Sequence, residues 1–388
     1  MADKEKPYKV YRGGRARGPI RPEKEAPTVR RDGTGRAPKP SRGGRRWRRI
    51  VLLLLVGIVL LAVVWALLGY LALRRGVGAA NDRLDSDARG ALTRAHGSIL
   101  SGPTNILVLG ADVGKEFKGR DVGRGRADSI MLVRTDPDAD RVAYVSIPRD
   151  LRVAIPGHGL DKINASYAVG GPALAIETVR ALTGLEVNHV VVVDFASFSD
   201  VIDAVGGITV DNPRPIFSNA FDCPFRDRDR CSRFQGWRFR KGELHLDGRR
   251  ALVYARIRHN RLDPGESDIT RGQRQQRVLQ GLADKVVGVN GFLRMPFVGD
   301  DLVEPLATDL STGELLELAW VRWRAADEKT LRCTLGGEPA DVGGAAVLQP
   351  SEDNALVIAG ILDPDTRPPD PRPGDPFSPA CFTGRAGS

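Results

Sequence analysis

The longest apolar run in the chain is IVLLLLVGIVLLAVVWALLGYLAL at residues 50–73, which are 24 uncharged residues. As a helix it would span about 36 Å, enough for the ~30 Å hydrocarbon core of a bilayer. A cleaved signal peptide is the alternative, but the run is too long, starts late and lacks a following A-x-A site. From Gly102-Pro103 onward, shorter apolar runs follow strand and helix periods in turn. Asn105–Leu109 predicts a buried strand. Ile130–Val133 and Val142–Val145 flank a polar Pro/Asp segment and predict a hairpin folded near Asp138. Helical spacing of Leu174, Ala175, Thr178 and Leu182 predicts a helix over Pro172–Leu182. His189–Val193 lacks alternation and predicts a strand covered on both faces. Helices are expected over Ala196–Val205, stopped by Gly206-Gly207, and over Leu246–Tyr254, opened by Asp247. Further helices are expected over Ile269–Val287, Leu315–Trp323 and Asn354–Ile361, with strands at Ile208–Val210, Leu331–Leu335 and Ala346–Leu348. The pattern is a layered α/β domain whose hairpin makes the sheet mixed.

Charge changes the picture at one end only. Of 388 residues, the first 49 hold 17 Lys+Arg and 5 Asp+Glu; the rest hold 41 and 43. The formal charge of +10 therefore belongs to a tail, and a near-neutral body argues against a nucleic-acid-binding domain. The organisation read from this is a disordered basic cytoplasmic tail at 1–49, a transmembrane helix at 50–73 and a connector at 74–102. A domain at 103–363 follows outside the cell, then a flexible Pro-rich tail at 364–388. Four cysteines, at 223, 231, 333 and 381, all follow the anchor, and none forms C-x-x-C. An even count outside the membrane suggests disulfides. Cys223 and Cys231 bracket one short loop, and Cys333 with Cys381 follows by elimination.

Folding the hairpin about Asp138 brings Arg126 and Asp128 beside Arg149 and Asp150. Two guanidiniums and two carboxylates at one sheet end suit an anion and a metal. Asp112, closing a strand parallel to the second hairpin strand, would point to the same end. Further on, Arg256 and Arg258 face the same way if that segment is extended. Arg271 and Gln275 are four apart on one helix, with Arg274 close by. Several fixed guanidinium forks are what a diphosphate requires. Gly110–Lys115 imitates a phosphate loop but is one residue short, and Glu116 stands where Ser or Thr is needed.

The motifs NILVLGAD, RADSIM, VSIPRD, DKINASYAVGGP, VVVDFASF, DAVGGITV, YARIR and RGQRQQ, in this order, resemble the LytR-CpsA-Psr family over residues 104–363. The resemblance implies a three-layer α/β/α sandwich behind one membrane anchor. It implies transfer of an anionic glycopolymer, such as a teichoic acid, from a polyprenyl diphosphate carrier to peptidoglycan. Asp112 and Asp128 match the family's metal-binding aspartates, for Mg2+ with Mn2+ as a substitute. Arg126, Arg149, Arg256, Arg258, Arg271 and Gln275 match diphosphate-holding positions, and Arg274 joins them. Asp128, Arg149 and Asp150 are the catalytic candidates, with Asp128 or Asp150 assisting deprotonation. The partners implied are the lipid-linked polymer, peptidoglycan and the membrane, with no nucleic acid expected. A non-catalytic regulator of envelope genes and a polyprenyl diphosphate hydrolase are the alternatives.

Overall fold

The computed structural model describes residues 43–94, 97–111, 125–263, 265–325, 327–363, 365–372 and 375–384. Helix α1 (Gly43–Arg83) starts inside the basic segment and continues past Leu73. It is long and apolar enough to cross a membrane. After α2 (Ser86–Ala91) come β1 (Thr104–Ala111), β2 (Ala127–Asp136), β3 (Arg141–Ile147), β4 (Arg152–Ile155) and β5 (Gly159–Lys162). Then follow α3 (Ile163–Thr183), β6 (His189–Asp194), α4 (Phe195–Ala204), β7 (Ile208–Asn212) and β8 (Ile216–Phe217). Next are α5 (Arg228–Ser232), β9 (Arg238–Phe239), β10 (Gly242–Leu246), α6 (Gly248–Arg256), α7 (Asp268–Val287) and α8 (Val289–Val303). The chain closes with β11 (Ala307–Thr308), α9 (Thr312–Arg324), β12 (Thr330–Thr334), β13 (Gly337–Val342), β14 (Ala345–Pro350), α10 (Asn354–Leu362) and β15 (Ala380–Thr383).

Seven strands form the central sheet in the order β11-β6-β1-β2-β3-β12-β15. β1 pairs antiparallel with β2 and parallel with β6, so the sheet is mixed, as the hairpin dictated. Strand alternation then divides the side chains between two layers. Leu107, Leu109, Ile130, Leu132 and Val145 pack against α3 and α10 in the main core. The other face presents Ile106, Val108, Met131, Val133 and Tyr144 toward α7 and α9, and there the packing stays open. α3 begins nine residues before Pro172, because Gly171 takes φ 64° and ψ −157° and so carries the chain across the proline. α4 ends where predicted, with Gly206 and Gly207 both at φ 80°.

One expectation needs correction. The segment 364–388 is not simply a loose end: β15 pairs antiparallel with β12 and forms one edge of the sheet. The expected strand Ile208–Val210 is present as β7, which pairs with β10 in a separate two-stranded sheet. Both cysteine pairs are disulfides, Cys223–Cys231 and Cys333–Cys381. The second closes a separation of 48 residues and ties β15 to β12. Replacing Cys333 and Cys381 by alanine should lower the unfolding free energy by about 4 kcal/mol, the chain entropy restored to a loop of that length. Denaturant unfolding measures it, and a loss under about 1 kcal/mol would contradict the stapling role.

His189 is buried at the start of β6, with Nδ1 2.7 Å from Asp309. Burial pushes its pKa down, but the Asp309 bond and the charges of Asp309 and Glu314 outweigh that and raise it. A raised folded-state value adds stability that is complete below the unfolded value of about 6.5 and is lost as pH rises through the folded value. The His189→Gln protein should therefore lack the stability decline above about pH 6.5 expected of the parent. Equal slopes in urea titrations of the two proteins would contradict this.

Candidate active site at the end of an apolar cavity

The open layer under the sheet is a cavity of about 770 Å³, walled by β1, β2, β3, β6, α7, α8 and α9. Most of its lining residues are Val, Leu, Ile, Met and Phe, and its polar lining includes Asp128, Arg256, Arg258, Arg271 and Gln275. These come together for local reasons. In the hairpin, Ile130 stands opposite Ile147, so Asp128 and Arg149 lie just beyond the same rung. Arg149 Nη1 is 2.6 Å from Asp128 Oδ1, and Arg258 Nη2 is 3.3 Å from Oδ2. α7 is capped by Ser267 and Thr270 in a reciprocal capping box. Any Cβ at Gly272 would overlap Ser146, so the glycine of RGQRQQ lets the first turns of α7 sit on β3. Arg271 then donates to the Asp128 carbonyl at 3.3 Å, and Gln275 Oε1 accepts from Ser129 Oγ at 2.9 Å.

Arg149 is held from behind. Its Nε is 3.3 Å from Asp150, whose other oxygen is 3.0 Å from Lys162 Nζ. Burial raises the Asp150 pKa, but the Lys162 bond and the charges of Arg149, Lys162 and Arg271 prevail and hold it below the usual carboxylate range. That makes Asp150 a weak base; its geometry is that of a brace for Arg149.

The sequence-derived candidates divide accordingly. Asp128, Arg149, Arg258, Arg271 and Gln275 converge. Arg256 also lines the cavity, but on different grounds from those expected. It is the last residue of α6 rather than part of an extended segment, and it is ion-paired with Asp222. Arg274 points away from the cavity: it is 3% exposed and donates to the carbonyls of Tyr254 and Ile257 and to Glu266. Arg126 is exposed just before β2 and is not in the cavity wall. Asp112 lies outside the described residues. Sequence reading missed Lys162, although it belongs to the DKINASY motif. It also missed Asp222, which sits at φ 44° beside the Cys223–Cys231 bridge. Among the described residues no three His, Cys, Asp or Glu side chains form a metal cluster.

Known proteins share both the pattern and the fold. Residues 75–362 match the LytR_cpsA_psr family. The polyisoprenyl-teichoic acid–peptidoglycan teichoic acid transferase TagU of Enterococcus faecalis is 32% identical over 236 residues, 61% of this chain and 70% of the relative. TagV of Bacillus subtilis, of the same description, is 32% identical over 273 residues, 69% and 65% of the two chains. The crystal structure of B. subtilis TagV superposes with a TM-score of 0.55 at 29% identity, covering 67% of this chain and 96% of that one. A structure described as TagT bound to LI-WTA gives 0.52 at 25% identity, covering 71% and 98%. With the family pattern matched over residues 75–362, most of its length, the chain belongs to the LytR-CpsA-Psr family.

Proposed function

We propose that the chain transfers an anionic cell-wall glycopolymer from a polyprenyl diphosphate carrier to peptidoglycan and releases polyprenyl phosphate. One observation carries this reading: a long apolar cavity ends in a cluster of guanidiniums. Its complement is a molecule with a hydrocarbon tail and a multiply charged anionic head. The names of the TagU and TagV relatives support the same reaction class.

In this reading an acceptor hydroxyl oxygen bonds to the phosphorus that carries the sugar. The bond from that phosphorus to the bridging oxygen breaks, and its electron pair leaves with polyprenyl phosphate. Arg149 and Arg258 exchange the Asp128 carboxylate for phosphate oxygens, and Arg271 and Gln275 fix the diphosphate from α7. Among the described residues two carboxylates, Asp128 and Asp194, line the cavity. Asp194 caps Ser197 N at 2.9 Å, which leaves Asp128 to take the hydroxyl proton. Asp128 and Asp112 would also hold Mg2+ or Mn2+. One or two carboxylates suit Mg2+, which fills its shell with water and substrate phosphate. When bound, the ion neutralises charge on the diphosphate. The excess of positive charge over residues 1–49 supports an N-terminus in the cytoplasm and a domain outside.

Residues 213–261 carry 13 Lys+Arg against 5 Asp+Glu and border the polar end of the cavity at Asn219 and Phe221. Within them Arg238 and Arg261 both lie over the Phe217 ring, 3.8 and 4.7 Å from its centroid. Arg261 Nε donates to Asn219 Oδ1 at 3.1 Å, and stacking turns the remaining N–H edges of the two guanidiniums outward to grip a polymer phosphate. The Arg238→Gln/Arg261→Gln protein should show a KM about tenfold higher for a phosphate-rich polymer, about 1.4 kcal/mol, with no change for a neutral short glycan.

The direct test uses the full chain in vesicles with a polyprenyl diphosphate-linked glycan, peptidoglycan oligomers and Mg2+. Glycan joined to peptidoglycan, with polyprenyl phosphate released, is expected. Water as the sole acceptor would mark a hydrolase, and no reaction at all would end the enzyme reading. Deleting residues 1–45 should leave turnover intact, whereas a regulator acting through its tail would lose its effect.

A further inference from the structure

α8 is apolar on two sides. Met295, Val298, Leu302 and Val303 pack into the core shared with α4 and α6. A second stripe at 289, 292, 293 and 297 follows the i, i+3, i+4, i+8 spacing of one helical face. Apart from an edge contact of Phe297 with α1, this stripe stays uncovered: Val289 is 76% exposed, Phe292 53%, Leu293 51% and Phe297 69%. The stripe contains no charge; Arg294 beside it turns inward to the Val205 carbonyl at 3.1 Å. A surface helix in water presents a polar outer face, so this one is built for a different medium.

The neighbouring helix identifies that medium. α8 runs alongside the second half of α1. The Trp65 and Phe297 rings are 5.4 Å apart edge to face. A Cβ on Gly69 would stand 3.2 Å from Met295, and one on Gly299 would stand 3.1 Å from the Leu73 backbone. Contacts move up both helices together, to Arg83 and Glu304 at 3.5 Å. The exposed stripe thus lies at the level of the apolar run of α1, below Arg74 and Arg75. Between the two helices runs a groove of about 570 Å³, lined by Trp65, Leu68, Leu71 and Phe297, with both arginines at its rim. Apolar walls with arginines at one rim match an acyl chain and its phosphate headgroup. Leu73, Val287 and Met295 meanwhile form part of the wall of the large cavity.

We propose that the N-terminal half of α8 is immersed in the bilayer beside α1, so that the cavity takes its lipid from the membrane without passage through water. The second clause rests on the function proposed above; the immersion does not, and its test needs no turnover. The experiment uses the full chain with Trp47→Phe and Trp65→Phe, carrying Phe292→Trp as a reporter, in vesicles of plain or acyl-brominated phosphatidylcholine. The added emission should be blue-shifted in plain vesicles and lost in brominated ones. A Val289→Trp reporter should behave alike. A Leu356→Trp reporter on α10, across the sheet, should keep its emission. Retained emission from both α8 reporters, in vesicles where Trp65 of the otherwise unsubstituted chain is quenched, would overturn the proposal. Retained emission together with self-association that Phe297→Asp abolishes would assign the stripe to a second copy of the chain, and would overturn it equally.

Discussion

The Arg149→Ala protein should turn over lipid-linked substrate about 10²–10³-fold more slowly than the parent, with a melting temperature within a few degrees of it. Arg149 is the guanidinium closest to Asp128, at 2.6 Å, and its side chain is still 17% exposed at the site. It meets charge that grows on the phosphoryl oxygens during transfer, and a fixed donor of that kind contributes about 3–4 kcal/mol. Its share in stability is smaller. The carboxylates it leaves behind keep other cations: Arg258 on Asp128 and Lys162 on Asp150. Partly exposed ion pairs contribute about 0–1 kcal/mol each. Arg149→Lys keeps a charge but loses the planar fork and the Asp150 brace, so it should fall between the two. Turnover of Arg149→Ala equal to that of the parent would remove the arginine cluster from the reaction.

The site was legible in the sequence where one rule of local geometry sufficed. A two-strand hairpin puts its two open ends together whatever surrounds it, so Asp128 and Arg149 follow from the turn at Asp138. Four-residue helical spacing put Arg271 and Gln275 on one face, and both reach the cavity. The rule failed where tertiary context chose the direction. Arg274 differs from Gln275 by one position, about 100° around the helix, and that rotation turns it from the cavity into the α6–α7 seam. Asp150 was one of two bases that the resemblance offered; what its sequence position could not show is Lys162, brought in by the β4–β5 hairpin, which with Arg149 lowers its basicity and makes it a brace. α8 carries no clear signature because Gly291 and Pro296 interrupt its pattern and both of its long faces are apolar. β15 escaped because its four residues are surrounded by Pro and Asp, and it is held by pairing and a disulfide rather than by propensity.

Arg274 supplies the sharpest contrast between holding the site and acting in it. The Arg274→Ala protein should lose about 3–5 kcal/mol of stability, a fall in melting temperature of order 10 °C, yet keep near-parental kcat per folded molecule in the cold. The side chain is 3% exposed; Nε donates to the Tyr254 carbonyl at 3.1 Å, and Nη1 to Glu266 at 2.8 Å. Removing it leaves a Glu266 carboxylate that is only 7% exposed with the Thr270 hydroxyl but no cation, and takes a donor from two carbonyls at the end of α6. An uncompensated buried charge, not the lost attraction, sets the size of the effect. Replacing both partners, Arg274→Met with Glu266→Leu, should therefore recover much of the loss. The end of α6 also carries Arg256 and the Ala255 carbonyl that Gln275 approaches at 3.4 Å, so activity should vanish together with the fold as the temperature rises. Thermal melting and initial rates at two temperatures separate the cases. A lowered kcat/KM at every temperature with an unchanged melting point would mean that Arg274 touches the diphosphate after all.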